Sequence, residues 1–328
     1  MGNKPKIAFY WCSSCGGCEE SLVDMAEAIV ELSTQIEIVL WPVAADFKKK
    51  DIEAMADGEI VATMLNGAIR TSEQEEMARL LRRKSQILIA YGSCAYTGGI
   101  PGLSNQFPRE QLLKYVYHDA PSVVNPEGQD PQTEFHDAGR VATLPIFSEV
   151  VRSLDQVVDV DYYIPGCAPN PELVLDAIHA LLSGNLPSKG TVLAPDIALC
   201  EHCPRLKTKP ADIAIDEFKR PHQHLIDPNV CMLVQGFACL GPATRSGCGG
   251  ACLKANMPCT GCFGPMSNVR DQGAKALCAL ASIVAGTTNE EIDSALDGIP
   301  DPVGTFYRYG LAKSMLRRKV NMEPTLSK

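Results

Sequence analysis

Fourteen cysteines stand in this 328-residue chain, at positions 12, 15, 18, 94, 167, 200, 203, 231, 239, 248, 252, 259, 262 and 278. Twelve of them fall into three sets of four whose spacing suits iron-sulfur clusters, in which cysteine thiolates hold the irons. Such centres pass single electrons, so the chain reads as a wire. An even cysteine count also permits a disulfide framework. That framework suits small secreted domains without a core, whereas this chain is several times that size and 45% hydrophobic. Its first apolar segment, Ile7 to Trp11, follows no cleavable leader. No twin-arginine signal precedes it, and no apolar run of about eighteen residues could span a bilayer. The expected compartment is the reducing cytoplasm, where thiols serve as metal ligands, catalytic groups or packing residues.

Elements that could position these thiols are legible in the first half. Ile7 to Trp11, Ile36 to Trp41, Ile60 to Leu65, Ile87 to Tyr91 and Val160 to Ile164 read as short buried strands bounded by polar or Gly/Pro residues. Glu20 to Leu32, Ser72 to Lys84 and Pro171 to Leu182 read as helices, the last opening on Asn170 as cap with Pro171 at the first helical position. The alternation predicts an α/β fold with a doubly wound parallel sheet. Gln106 to Ser148, rich in Pro and Asp, reads as an irregular insertion. Cys15 and Cys18, Cys94 and Cys167 each follow a strand. They therefore meet at the carboxyl edge of the sheet, where open α/β sheets bind ligands.

The chain changes character near residue 190, giving an expected division into 1–190 and 191–328. Eight cysteines crowd positions 200 to 262, so this second, smaller and irregular domain is expected to be held by its metals rather than by a large aliphatic core. Asp271 to Ala285 is its clearest helix, with Cys278 on a packing face; Cys12 is the other cysteine read as packing. The tail carries Lys313, Arg317, Arg318 and Lys319. Thirty basic against 39 acidic residues give a net charge of -9, which argues against nucleic acid and an anionic membrane surface as partners.

Cys200-Glu-His-Cys203 and Cys259-Thr-Gly-Cys262 would each serve a structural zinc site, which makes a zinc-binding structural or interaction protein the alternative from another class. Zinc ribbons close a small tetrahedral site from two pairs. Here the pairs combine with the distant singletons Cys94 and Cys167, which suits a larger cuboidal centre.

Four motifs in register resemble the small, electron-transferring subunit of nickel-iron hydrogenases. They are Cys15-Gly16-Gly17-Cys18-Glu19-Glu20, Gly92-Ser93-Cys94-Ala95, Pro165-Gly166-Cys167-Ala168-Pro169-Asn170-Pro171, and the stretch from Cys231 through Cys239-Leu240-Gly241-Pro242 to Pro258-Cys259-Thr260-Gly261-Cys262. The resemblance implies a flavodoxin-like first domain and three 4Fe-4S clusters. It gives the proximal cluster to Cys15, Cys18, Cys94 and Cys167, the medial to Cys248, Cys252, Cys259 and Cys262, and the distal to Cys200, Cys203, Cys231 and Cys239. His202 is an alternative distal ligand. All-cysteine ligation resembles the cytoplasmic, methyl-viologen-reducing branch of methanogens, and the tail Ile299 to Arg308 separates it from the rival small subunit of the coenzyme F-420-reducing enzyme. The nickel-iron centre is expected on a large subunit that splits dihydrogen. Electrons would pass from proximal through medial to distal clusters, then to an iron-sulfur adaptor and a heterodisulfide reductase. Glu20, in the first helical turn, reads as a helix-dipole carboxylate.

Overall fold

The chain from Lys4 to Arg317 is described by a computed structural model; Arg318 and Lys319 of the basic tail lie outside the described residues. In the first half the order is β1 (Lys6–Trp11), α1 (Gly17–Val23), α2 (Glu27–Gln35), β2 (Glu37–Leu40), α3 (Lys49–Ala54), β3 (Ile60–Asn66), β4 (Ile69–Thr71), α4 (Ser72–Lys84), β5 (Ser85–Tyr91), α5 (Gly92–Thr97), α6 (Arg109–Lys114), β6 (Glu134–Asp137), β7 (Arg140–Thr143), β8 (Phe147–Arg152), β9 (Tyr162–Ile164) and α7 (Pro171–Leu182). Five strands form one sheet in the order β2-β1-β3-β5-β9, with every neighbouring pair parallel. The order reverses beside β1, giving the flavodoxin-like doubly wound α/β topology that the alternation of elements predicts.

Both faces of the sheet are covered because successive side chains point to opposite sides. Ile7, Phe9, Met64, Ile89 and Tyr91 pack against Leu22, Leu32, Val174 and Ile178 from α1, α2 and α7. Ala8, Leu65, Leu88 and Ala90 pack on the other face against Ile52 of α3 and Met77, Ala78 and Leu81 of α4. A fully buried Leu such as Leu81 contributes about 1.5–3 kcal/mol by leaving water. α4 is bounded by chemistry as well as packing. Thr71 Oγ1 accepts from the Gln74 N–H at 3.3 Å, while Gln74 Oε1 accepts from the Thr71 N–H at 3.1 Å; Glu73 and Glu75 open the helix and Arg82, Arg83 and Lys84 close it, matching its dipole.

Several expectations shift. The helix expected over Glu20 to Leu32 is two, because the chain turns at Ala26 (φ 50°) and Met25 enters the core at the corner. The insertion contains a hairpin of β6 and β7, and β8 leaves the main sheet to pair antiparallel with β4. In the second half, α8 (Ala251–Lys254), α9 (Gln272–Ala281), α10 (Asn289–Leu296) and α11 (Pro302–Phe306) punctuate loops. This half does have an apolar core, in which Phe218, Met232, Leu233, Phe237, Leu240, Leu280 and Phe306 are all buried. Its apolar residues stand singly between cysteines, so no periodicity announces them. Cys278 is exposed on α9 rather than packed, whereas Cys12 is buried.

The two halves are clasped by residues 309–314. Tyr309 O accepts from the Gly99 N–H at 3.0 Å and from Thr97 Oγ1 at 2.6 Å, and Gln156 Nε2 donates to Ala312 O at 3.0 Å. Lys313 Nζ pairs with Asp155 and lies 5.2 Å from the ring centroids of both Tyr96 and Tyr163.

Candidate functional site

Four cysteines converge where the parallel strands end. Beyond β1 a bridge between Ser13 and Ala68 fixes the chain and delivers Cys15 just ahead of α1, which starts after Gly16 in the left-handed region (φ 91°) and carries Cys18 in its first turn. Cys94 lies in the first turn of α5 directly after β5, and Cys167 follows the end of β9 at Ile164. Cys18 and Cys94 are buried, Cys15 and Cys167 exposed. Two glycines leave the space around the sulfurs open: a methyl group at Gly92 (φ 82°) would meet Cys18 Sγ, and one at Gly99 (φ 56°) would meet Cys94 Sγ.

Burial pushes the Cys18 thiol up, and the charges of Cys94, Cys167 and Cys15 push it further. Cys94 is pushed up to about 12, by burial and then by Cys167 and Cys15. Cys18, Cys94 and Cys167 are each raised by burial and then by the charge of Cys15 among others, so the four thiols share one space. Four bare thiolates there would repel, so only a cationic centre could hold all of them ionised.

Two further quartets lie in the second half. Burial pushes Cys200 up to about 12; Lys209 opposes the rise, and Cys239, Cys203 and Cys231 add to it. Cys239 is pushed up to about 11 by burial against the N–H groups of Gly241 and Cys259, with Cys231 and Cys203 adding. Cys262 reaches about 12 through burial, lowered by the Cys167 N–H and raised by Cys248 and Cys252. Cys259 is raised by burial, then by Cys239 and Cys262. These influences tie Cys200, Cys203, Cys231 and Cys239 together and tie Cys262 to Cys248 and Cys252, while Cys259 is tied to Cys262 on one side and to Cys239 on the other. Among the described residues no three His, Cys, Asp or Glu side chains are gathered to hold a single metal ion. Thiols gathered in this way suit the cysteine ligation of iron-sulfur clusters.

The quartets also touch. The Cys259 N–H donates to Cys239 Sγ at 3.4 Å, the Cys167 N–H acts on the Cys262 sulfur, and Ser93 Oγ, beside Cys94, donates to Cys262 O at 2.5 Å. The Cys259–Cys262 turn therefore meets one quartet at each of its ends.

Residues 15–181 match the model of the family described as NADH ubiquinone oxidoreductase, 20 Kd subunit. The iron-sulfur subunit of the F420-non-reducing hydrogenase of Archaeoglobus profundus is 38% identical over 320 residues, covering 96% of this chain and 98% of that relative. A subunit of the vhu F420-non-reducing hydrogenase of Methanocaldococcus jannaschii is 38% identical over 314 residues, covering 96% and 97%. The chain belongs to the family of F420-non-reducing hydrogenase iron-sulfur subunits. As a hydrogenase small subunit it is one part of an oxidoreductase, and the relatives named are of the F420-non-reducing type. Its fold is that of the corresponding chain in the recombinant [NiFeSe] hydrogenase from Desulfovibrio vulgaris Hildenborough, with a TM-score of 0.52 at 18% identity over 82% of this chain and 96% of that one.

Four polar residues of this small subunit sharpen the sequence reading. His202 Nδ1 is engaged with Ser246 Oγ at 2.8 Å. Glu20 is exposed, and its neighbour Glu19 is the buried carboxylate: it accepts from Trp41 Nε1 at 2.5 Å and from Asn66 Nδ2. Burial raises Glu19, and the two donated bonds oppose that rise. Arg205, only 3% exposed, donates to the carbonyls of Asp227, Val230 and Leu253 and to Asn256 Oδ1. It ties the Cys231 loop to α8, which carries Cys252. Its one readable signal was its place two residues after Cys203.

Proposed function

We propose that this chain carries electrons away from the nickel-iron large subunit through three 4Fe-4S clusters, held proximally by Cys15, Cys18, Cys94 and Cys167, medially by Cys248, Cys252, Cys259 and Cys262, and distally by Cys200, Cys203, Cys231 and Cys239. When bound, each cluster supplies a one-electron carrier. The chain's residues supply the sulfurs and fix them on the sheet edge and the loops of the second half. The observation that carries this reading is the pair of contacts at the Cys259–Cys262 turn, which joins the middle quartet to both others. Cys15 and Cys167, exposed at the sheet edge, give the proximal quartet an open face for the large subunit. The distal quartet, beside exposed Leu206, is the exit towards an iron-sulfur adaptor and a heterodisulfide reductase in the cytoplasm. In this reading residues 1–190 form the proximal domain and 191–328 the medial and distal one. No helix among the described residues is long and apolar enough to cross a membrane.

The test is anoxic purification of the chain with its large subunit. Iron and acid-labile sulfide at roughly twelve each per chain are expected, and Cys94→Ser should lose the proximal signal in electron paramagnetic resonance and uncouple dihydrogen oxidation from dye reduction. Zinc in place of iron, or wild-type turnover in Cys94→Ser, would overturn the reading.

A further inference from the structure

From Phe107 to Glu149 no residue is buried. α6 and the π-helical turn that continues it, Tyr115–Asp119, bury no side chain, and all eight residues of the β6–β7 ribbon are exposed. A two-stranded ribbon alone is marginally stable in water. Yet this segment displays ten of the large exposed hydrophobic side chains of the described residues, among them Tyr115, Val116, Val124, Phe135, Val141 and Leu144. Scattered exposed apolar residues need no explanation, but a run of them on a segment without a core marks a surface that something covers.

The place where this segment is rooted says what covers it. It leaves the body after the loop that follows Cys94 and returns through β8, whose Phe147 pairs with Thr71 and whose Arg152 pairs with Ile69 of β4. β4 follows β3 directly past Ala68, the residue bridged to Ser13 ahead of Cys15. The root is therefore the carboxyl edge of the sheet, where exposed Cys15, Cys167, Trp11 and Ile100 also lie. Hydrogen bonds and ion pairs of the segment run within it or to that root: the Ile146 N–H donates to Ser72 Oγ at 3.0 Å, and Arg109 pairs with Glu149 at 3.1 Å. At the root Arg70 is 4% exposed, its guanidinium lies 4.2 Å from the Phe147 ring centroid, and its Nε and Nη2 have no partner. The stacking stiffens the base from which the segment projects.

We propose that residues 107–149 are a docking arm that grips the hydrogenase large subunit, extending the contact that begins at the proximal quartet. The inference rests on the proximal-face reading given above. Continuity favours the large subunit over an acceptor protein, which would approach the distal quartet in the other half of the chain. The arm holds seven carboxylates against three Lys and Arg side chains, so the surface it fits is apolar with a basic rim.

Photocrosslinking in the intact complex tests this. A benzophenone amino acid is placed at Phe135 or Val141 on the arm and, as a reference, at Trp11 on the proximal edge. Arm positions should crosslink to the large subunit, and the F135D/V141D double variant should co-purify with it at least tenfold more weakly while keeping its iron content. Arm crosslinks to a second copy of this chain, to an adaptor or to nothing, with Trp11 still linking to the large subunit, would overturn the arm and leave the proximal face standing. Failure of Trp11 alone to link would instead overturn the proximal-face reading. Unchanged co-purification of the double variant would also overturn the arm.

Discussion

Arg205 carries a positive charge in an interior where it meets no carboxylate, only carbonyls, an amide oxygen and the Met232 sulfur at 3.6 Å. A buried cation of this kind is held by the oxygens it donates to, while its own backbone N–H donates to Cys203 Sγ at 3.4 Å. Arg205→Met should cost about 3 kcal/mol, since hydrogen bonds to a charged group are worth roughly 1.5–3 kcal/mol each and the abandoned carbonyls stay buried. A lower melting temperature together with loss of the distal paramagnetic signal is expected; an unchanged melt would show that the guanidinium is dispensable. At this scale the sequence was unevenly informative. The cysteines identify themselves because few other roles explain their number. Glu19 and Arg205 do not, because a charged residue in a single sequence is read as solvent-facing until the fold shows otherwise.

Among the elements, β5 and β9 are joined through Asp161 as well as by their ladder. Its N–H donates to Leu88 O at 2.9 Å, the Leu88 N–H donates to its Oδ2 at 2.8 Å, and Arg82 of α4 and Lys189 pair with the same carboxylate at 2.5 and 2.6 Å. Burial alone would raise this carboxyl, but the bonds from Lys189, Arg82 and the Leu88 N–H hold it below the usual carboxylate range. A depressed folded value contributes stability that is complete above the unfolded value, near 4, and is lost as pH falls through the folded one. Asp161→Asn should therefore cost about 2 kcal/mol at neutral pH, with the difference from wild type closing below about pH 4. Denaturant melts across that range measure it, and a pH-independent difference would refute the linkage. The sheet itself was legible because Ile60 to Leu65 and Ile87 to Tyr91 are short apolar runs with clear borders. The corner at Ala26 was not, since nothing in Glu20 to Leu32 breaks helical periodicity and only packing of Met25 turns the chain. The β6–β7 hairpin was hidden because its strands face water on both sides and so lack a two-residue alternation.

For the whole molecule, the clasp at residues 309–314 makes two compositionally different halves into one body. Lys313→Met combined with Thr97→Val removes the Asp155 pairing and the bond to Tyr309. Calorimetry should then resolve two transitions where the native chain gives one; a single transition would mean the halves cohere without the clasp. Cohesion matters because Cys15, Cys18, Cys94 and Cys167 belong to one half and the eight cysteines from 200 to 262 to the other. The same geometry bears on how the chain can vary in length. A methyl group added at Gly128 or Gly139 would meet nothing of this chain within 4 Å, so the chain itself leaves room there for a longer loop. The four-residue turn from Cys259 to Cys262 has no such freedom. One residue more would move Cys262 from Cys167 or Cys259 from Cys239, opening a gap on one side or the other, so this short segment acts as a ruler on which the spacing of every neighbouring sulfur depends.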